Sequence, residues 1–99
     1  MVFTISLKQG AHGTLVVITD TDIVGSLFEE GKRQLDLRSE FYKGERKGKD
    51  HATEIVKASR HIYFTGKQAV ALGVELKLID SKRILVVKGI PHATVVLEL

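Results

Sequence analysis

Ile62-Tyr63-Phe64-Thr65-Gly66-Lys67-Gln68-Ala69-Val70-Ala71-Leu72-Gly73 is the stretch in which the hydrophobic period changes, and the fold turns on it. Ile62-Tyr63-Phe64 is a run of strand formers too short for a helix. Thr65 and Gln68 then have the spacing of a capping box, in which each side chain satisfies a free N–H of the first helical turn. Beyond them Ala69, Leu72, Gly73 and Leu76 recur on one helical stripe, with Val70 and Val74 beside it. A strand passing directly into a helix makes this a mixed α and β chain.

Working toward the N-terminus, Asp50 is placed to cap a helix whose inward face is Ala52, Ile55, Val56 and Ser59. Residues 43–49, with glycines at 44 and 48, read as a polar loop. Leu35 and Leu37 alternate with Asp36 and Arg38 and predict a strand running toward Phe41. Asp20-Thr21-Asp22 offers caps for a further short helix, with Ile23, Leu27 and Phe28 on one face and Gly31 at its end. Gly25 inside it costs about 1 kcal/mol relative to alanine, and Glu29 and Glu30 in its last turn oppose the helix dipole. Phe3, Ile5 and Leu7 alternate with polar residues, and Leu15-Val16-Val17-Ile18 is a continuous β-branched run. With Gln9, Gly10, His12 and Gly13 between them, these predict an N-terminal hairpin. Toward the C-terminus, residues 84–87 and 94–97 predict a second hairpin turning through residues 89–93. The expectation is an α+β two-layer sandwich in the order ββαβαβαββ. It has a mixed sheet of about six strands, with three helices largely on one face.

Ninety-nine residues, 43% hydrophobic and 27% charged, fit one domain over residues 1–99, with no linker, repeat or low-complexity tract. The absence of cysteine removes disulfides, thiolate metal sites and cysteine nucleophiles. The first seven residues have neither the basic start nor the long apolar run of a secretory signal. No apolar run approaches the ~20 residues that span a bilayer. A cytoplasmic protein without membrane contact is expected.

Charge is unevenly placed. Between residues 43 and 60, six bases (Lys43, Arg46, Lys47, Lys49, Lys57, Arg60) face three acids (Glu45, Asp50, Glu54), so this stretch accounts for the whole net charge of +3. A local basic excess attracts phosphate backbone; the alternative is a solvated lysine-rich loop.

Four blocks carry a resemblance. They are Leu27-Phe28-Glu29-Glu30-Gly31, Phe41-Tyr42-Lys43-Gly44-Glu45, Gly66-Lys67-Gln68-Ala69-Val70-Ala71 and Gly89-Ile90-Pro91-His92-Ala93. In that order they resemble a small archaeal family, the domain of unknown function family 424, across nearly the whole chain. This chain has Thr94 where the family often carries glutamine. The resemblance implies a compact α/β fold, an archaeal cytoplasmic setting and a leaning toward translation. It brings no catalytic residues.

Three chemistries follow. Thr65, Gly66 and Lys67 stand at a strand-to-helix junction, where free N–H groups and the helix dipole suit an anion. A Walker-type loop would need a glycine where His61 stands and Ser or Thr where Gln68 stands. The alternative is that Thr65 and Gln68 only cap the helix. His12, His51, His61 and His92 show no metal-ligand spacing, and neither a metal nor a cofactor is expected. His92, beside the only proline, is the candidate general acid or base; its alternative is a histidine tying down its own turn. Pro91 also permits a cis bond to Ile90.

Phe41 and Tyr42 alternate at a strand end, so one is expected in the core and Tyr42 outside. An exposed Tyr42 beside Lys43, Arg46, Lys47 and Lys49 has the make-up of a stacking group within a basic patch, as in single-stranded RNA recognition; the alternative is that Tyr42 covers the sheet edge while the lysines are solvated. The sequence therefore points to a non-enzymatic binding module for RNA or a ribonucleoprotein of the translation apparatus. Its rivals are a small enzyme centred on His92, and a protein–protein adapter or homodimer joined through an open sheet edge.

Overall fold

The computed structural model describes residues 1–11 and 13–97. The alternating N-terminus and the β-branched run form strands β1 (Val2–Gly10) and β2 (Gly13–Asp20). They pair antiparallel with Ile5 opposite Ile18 and Gly10 opposite Gly13. The strands thus extend further toward the turn than the sequence suggests, and His12 lies outside the described residues. The chain then makes a single 3₁₀ turn at Thr21–Ile23 and enters a small hairpin, β3 (Leu27–Glu30) and β4 (Arg33–Asp36).

That hairpin replaces the expected first helix. Gly25 has φ 94°, so the backbone leaves the helical region at a position read as helix interior, while Gly31 at φ 60° sits in the turn between β3 and β4. Phe28 pairs across the hairpin with Leu35 instead of meeting Ile23 along a helix. The strand expected to run on to Phe41 stops at Asp36, and Glu40–Tyr42 is a 3₁₀ turn capped by Ser39, whose Oγ accepts the Phe41 N–H at 3.0 Å.

The expected loop at residues 43–49 is instead strand β5 (Glu45–Gly48) followed at once by helix α1 (Lys49–Lys57). Gly44 permits this, because a Cβ there would run into the Ile5 backbone carbonyl of neighbouring β1. Asp50 sits within the first turn of α1, past the cap position, and Gly48 is the cap residue. Strand β6 (His61–Thr65) leads into helix α2 (Lys67–Glu75), as the change of period requires. A 3₁₀ turn at Ser81–Arg83 precedes β7 (Leu85–Val87) and β8 (Ile90–Val96). These two are joined by Lys88 and Gly89, both at positive φ, the signature of a tight two-residue hairpin turn. The turn is therefore at residues 88–89, and Ile90, Pro91, His92 and Ala93 belong to β8 rather than to a loop. The Ile90–Pro91 bond is trans.

Six strands form one mixed sheet in the order β5-β1-β2-β6-β8-β7, and β3-β4 form a second, two-stranded sheet. Within the large sheet β2 and β6 run parallel, and every other neighbouring pair is antiparallel. One face carries Phe3, Ile5, Val16, Ile18, Ile62 and Phe64 against α1 and α2, through Ala52, Val56, Ala69 and Leu72. The opposite face carries Val17, Tyr63 and Val87 against Leu35, Leu37 and Tyr42. The α+β class and the mixed six-stranded sheet hold, and both helices lie on one face. Two helices are present among the described residues instead of three, and the β3-β4 hairpin supplies a third layer.

Candidate functional site

Two of the four blocks, residues 41–45 and 89–93, meet through Tyr63, which belongs to neither. Phe41, Tyr42 and Tyr63 form an aromatic cluster with ring centroids 5.1 to 6.2 Å apart. The His92 ring stands edge-on to Tyr63 at 6.0 Å, with Nδ1 3.3 Å from the Tyr63 hydroxyl. Strand alternation explains the meeting. Tyr63 in β6 is opposite Thr94 in β8, so Tyr63 and the nearby His92 project from the same sheet face onto which the Glu40–Tyr42 turn folds.

Tyr42 is 8% exposed, which corrects the expectation of an outward stacking group. The cause is local: Glu40–Tyr42 is a 3₁₀ turn rather than a strand, so two-residue alternation does not apply and Tyr42 turns inward. Burial, followed by its hydroxyl contact with Tyr63, pushes the Tyr42 phenol upward. Phe41 is the half-exposed partner, with Lys8 Nζ 5.8 Å from its ring centroid.

The four bases of the expected patch are divided by the sheet. Arg46 and Lys47 are neighbours on an edge strand, so their side chains leave opposite faces. Arg46 is opposite Thr4 and Lys47 opposite Phe3. Lys47 pairs with Glu45 at 3.2 Å, Lys43 with Glu40 at 2.7 Å, and Lys49 with Glu75 at 3.2 Å. Of the four, Arg46 alone forms no ion pair among the described residues. It lines a groove of about 340 Å³ with Lys43, Gly44, Thr4, Thr21 and Val24. There the Thr4 and Thr21 hydroxyls lie 2.9 Å apart.

The register also aligns a polar row that sequence inspection missed. Arg46 is opposite Thr4, Thr4 opposite Thr19, Thr19 opposite Thr65, and Thr65 opposite His92. The row crosses five strands on one face. The Thr19 and Thr65 hydroxyls at its centre are buried and hydrogen-bond to no described group. Nothing in the sequence signals it, because each member belongs to a different strand and only the register brings them into line.

The Thr65, Gly66 and Lys67 junction holds an internal anion. Asp20, at the end of β2, accepts the Gln68 N–H at 2.9 Å and the Ala69 N–H at 2.7 Å. Thr65, which the capping-box reading assigned to this task, leaves its hydroxyl buried on β6 without a described partner. Asp20, read as the cap of a helix immediately after it, caps a helix 48 residues further on. Gly66 makes room at φ 109°, where a Cβ would collide with the Asp20 carboxylate. Burial raises the Asp20 pKa, against the lowering effect of those two backbone hydrogen bonds.

His92 is half-buried, and desolvation holds its imidazole below the ordinary value. Its ring contacts the Tyr63 hydroxyl, and among the described residues no carboxylate hydrogen-bonds to it. The arrangement orients a neutral histidine beside a phenol but supplies no nucleophile–base pair. No group of three or more metal-ligating side chains comes together among the described residues.

This is an α+β protein with a mixed sheet, two helices on one face and a hairpin on the other. Residues 7–97 match the family model described as protein of unknown function (DUF424), and the chain belongs to that family. No curated protein matches it. Its fold is similar to the crystal structure of an uncharacterized conserved protein from Methanopyrus kandleri. The TM-score is 0.79 at 21% identity, covering 100% of this chain and 96% of that one. No helix among the described residues is long and apolar enough to cross a membrane.

Proposed function

We propose that this protein is a non-enzymatic binding module that holds RNA, free or within a ribonucleoprotein of the translation apparatus, at its β5 edge. The observation that carries the reading is the groove in which the Arg46 guanidinium, without an ion-pair partner among the described residues, stands beside Lys43 and the Thr4 and Thr21 hydroxyls. A forked guanidinium with a nearby ammonium and hydroxyl donors suits phosphate oxygens. Lys47 and Lys49, on the other side of the edge, neutralise phosphates of a strand that wraps it. The family resemblance supports an archaeal, cytoplasmic setting for this role.

The test is filter binding of total RNA across a salt series. Affinity should fall steeply with salt, with a slope reduced by about one unit when a single phosphate contact is removed. No retention of RNA at low salt removes the reading.

A further inference from the structure

Strand β7 closes the end of the sheet opposite β5, and its outer edge is open. The hairpin register shows which backbone groups face outward. Val87 and Ile90 flank the two-residue turn and exchange hydrogen bonds, so the next pair, Val86 and Pro91, turns away from each other. The Pro91 carbonyl accordingly accepts the Gly66 N–H at 2.8 Å on the β6 side. The Val86 N–H and C=O therefore point off the sheet. Two residues on, the Lys88 N–H also points outward, and the Glu30 carboxylate accepts it at 3.2 Å, where the carbonyl of an added strand would lie.

This edge is short and flanked by bases, but its central side chains are apolar and open to solvent. Leu85 and Val86 are 58% and 43% exposed and project to opposite faces. Beside them runs a groove of about 320 Å³, walled by Arg33 and Gln34 of β4 on one side and by Leu85, Val86 and His92 on the other. Lys82 and Arg83 precede the strand and Lys88 follows it. With Arg33 these make four bases, none of them ion-paired with a described residue.

We propose that this groove takes an extended acidic peptide of a partner protein, added to β7 as a seventh strand. The peptide backbone pairs with the Val86 N–H and C=O, its apolar side chains meet Leu85 and Val86, and its carboxylates meet Arg33, Arg83 and Lys88. Charge selects this occupant over a second copy. Pairing β7 with its own copy brings Lys82, Arg83 and Lys88 of two chains together, and pairing it with β5 sets them against Arg46 and Lys47. RNA has no backbone to continue the ladder.

The experiment is an amide NMR titration of the whole chain with the acidic heptapeptide DVEIEVD, with the basic KVKIKVK and an oligouridylate as controls. Saturable shifts at residues 85–88 and 33–34, with slowed exchange of the Val86 amide, are expected from the acidic peptide alone. Val86→Pro removes the outward donor without touching the β7–β8 ladder, and Arg33→Glu reverses a surface charge. Each should weaken binding about tenfold. The proposal is overturned by no shift at Val86 at about 1 mM peptide, by equal binding of the basic peptide, or by oligouridylate shifting the same amides. Concentration-dependent dimerisation that Val86→Pro abolishes also overturns it.

Discussion

Asp20 and Gly66 compete for one volume: the carboxylate that caps α2 lies where a side chain on residue 66 would begin. The strand-to-helix junction is held by a charge from β2, and glycine is the residue that admits it. Asp20→Ala should cost about 1–2 kcal/mol, the usual worth of a lost cap. Gly66→Ala should cost more, through strain at positive φ as well as the collision. The two costs are expected to be less than additive, because Asp20→Ala removes the carboxylate that a methyl group at position 66 would strike, leaving only the residue 20 Cβ, 2.8 Å away, in its path. Urea unfolding of the two single variants and the double variant measures this; strict additivity would show that the two residues do not share the space.

Stability should fall on mild acidification because of His92. Its folded pKa lies below its ordinary value of 6.5, so between the two the unfolded chain binds more protons than the folded one. The stabilisation is complete above the unfolded pKa and is lost as pH drops from 6.5 through the lower folded value. His92→Gln should flatten that part of the profile. Denaturant midpoints taken across the range report it, and superimposable slopes for the two proteins would contradict it.

The Thr19 and Thr65 hydroxyls are buried side by side and bond to no described group. Thr→Val keeps the branched shape and the strand preference while removing an unsatisfied polar atom. Each replacement should raise stability by about 1 kcal/mol. A loss of similar size would mean that the hydroxyls hold a partner in solution.

Tyr42→Ala should act on the fold before it acts on any ligand. It removes a buried ring from the cluster of Phe41, Tyr63 and the β3-β4 layer, and about 3–5 kcal/mol of stability with it. Phe41→Ala, at a half-exposed position, should cost less. Thermal unfolding compares them directly, and a larger loss for Phe41→Ala would reverse the assignment of the two rings.

If RNA lies along the β5 edge, Arg46→Ala should weaken it more than Lys47→Ala, since Lys47 is already paired with Glu45. Filter binding at a fixed, stated salt concentration separates them. Equal losses would spread the contact over both faces of the edge.

Elements whose signals are local were legible from sequence. The alternation of Phe3, Ile5 and Leu7, the β-branched run at 15–18 and the helical stripes after Asp50 and Gly66 all became the elements their periods describe. The terminal hairpin also formed, with its turn one step earlier than the proline suggested. What failed was the stretch at residues 21–31, read as a helix, and the stretch at 43–49, read as a loop; the strand around Leu35 formed. The apolar residues at 23–28 fit helical spacing and strand pairing alike, and Gly25 at positive φ, inside the expected helix, decides against the helix.

The candidate site was less legible, and for a different reason. Each of its features depends on a partner far along the chain. Asp20 reads as a cap of the segment that follows it, since a sequence offers no sign that a carboxylate serves a turn 48 residues away. Arg46 and Lys47 read as one patch because charge runs are counted along the chain, whereas an edge strand sends adjacent residues to opposite sides. Tyr63, the ring that links the two blocks, read only as a strand former.

The capping of α2 by Asp20 bears on how the molecule assembles. β1 and β2 are contiguous and can pair early, but the first turn of α2 gains its cap only after the chain between Asp20 and Gln68 has closed on itself. The parallel pairing of β2 with β6 needs the same long closure. Both are non-local contacts of the kind that slow folding, since loop-closure entropy is lost before the contact returns anything. A fragment beginning at His61 would carry the whole sequence of α2 yet lack the anion for its first turn. The last third of the chain is thus held in waiting for the first fifth, and helix, parallel strand pair and cap should appear together in a single kinetic phase.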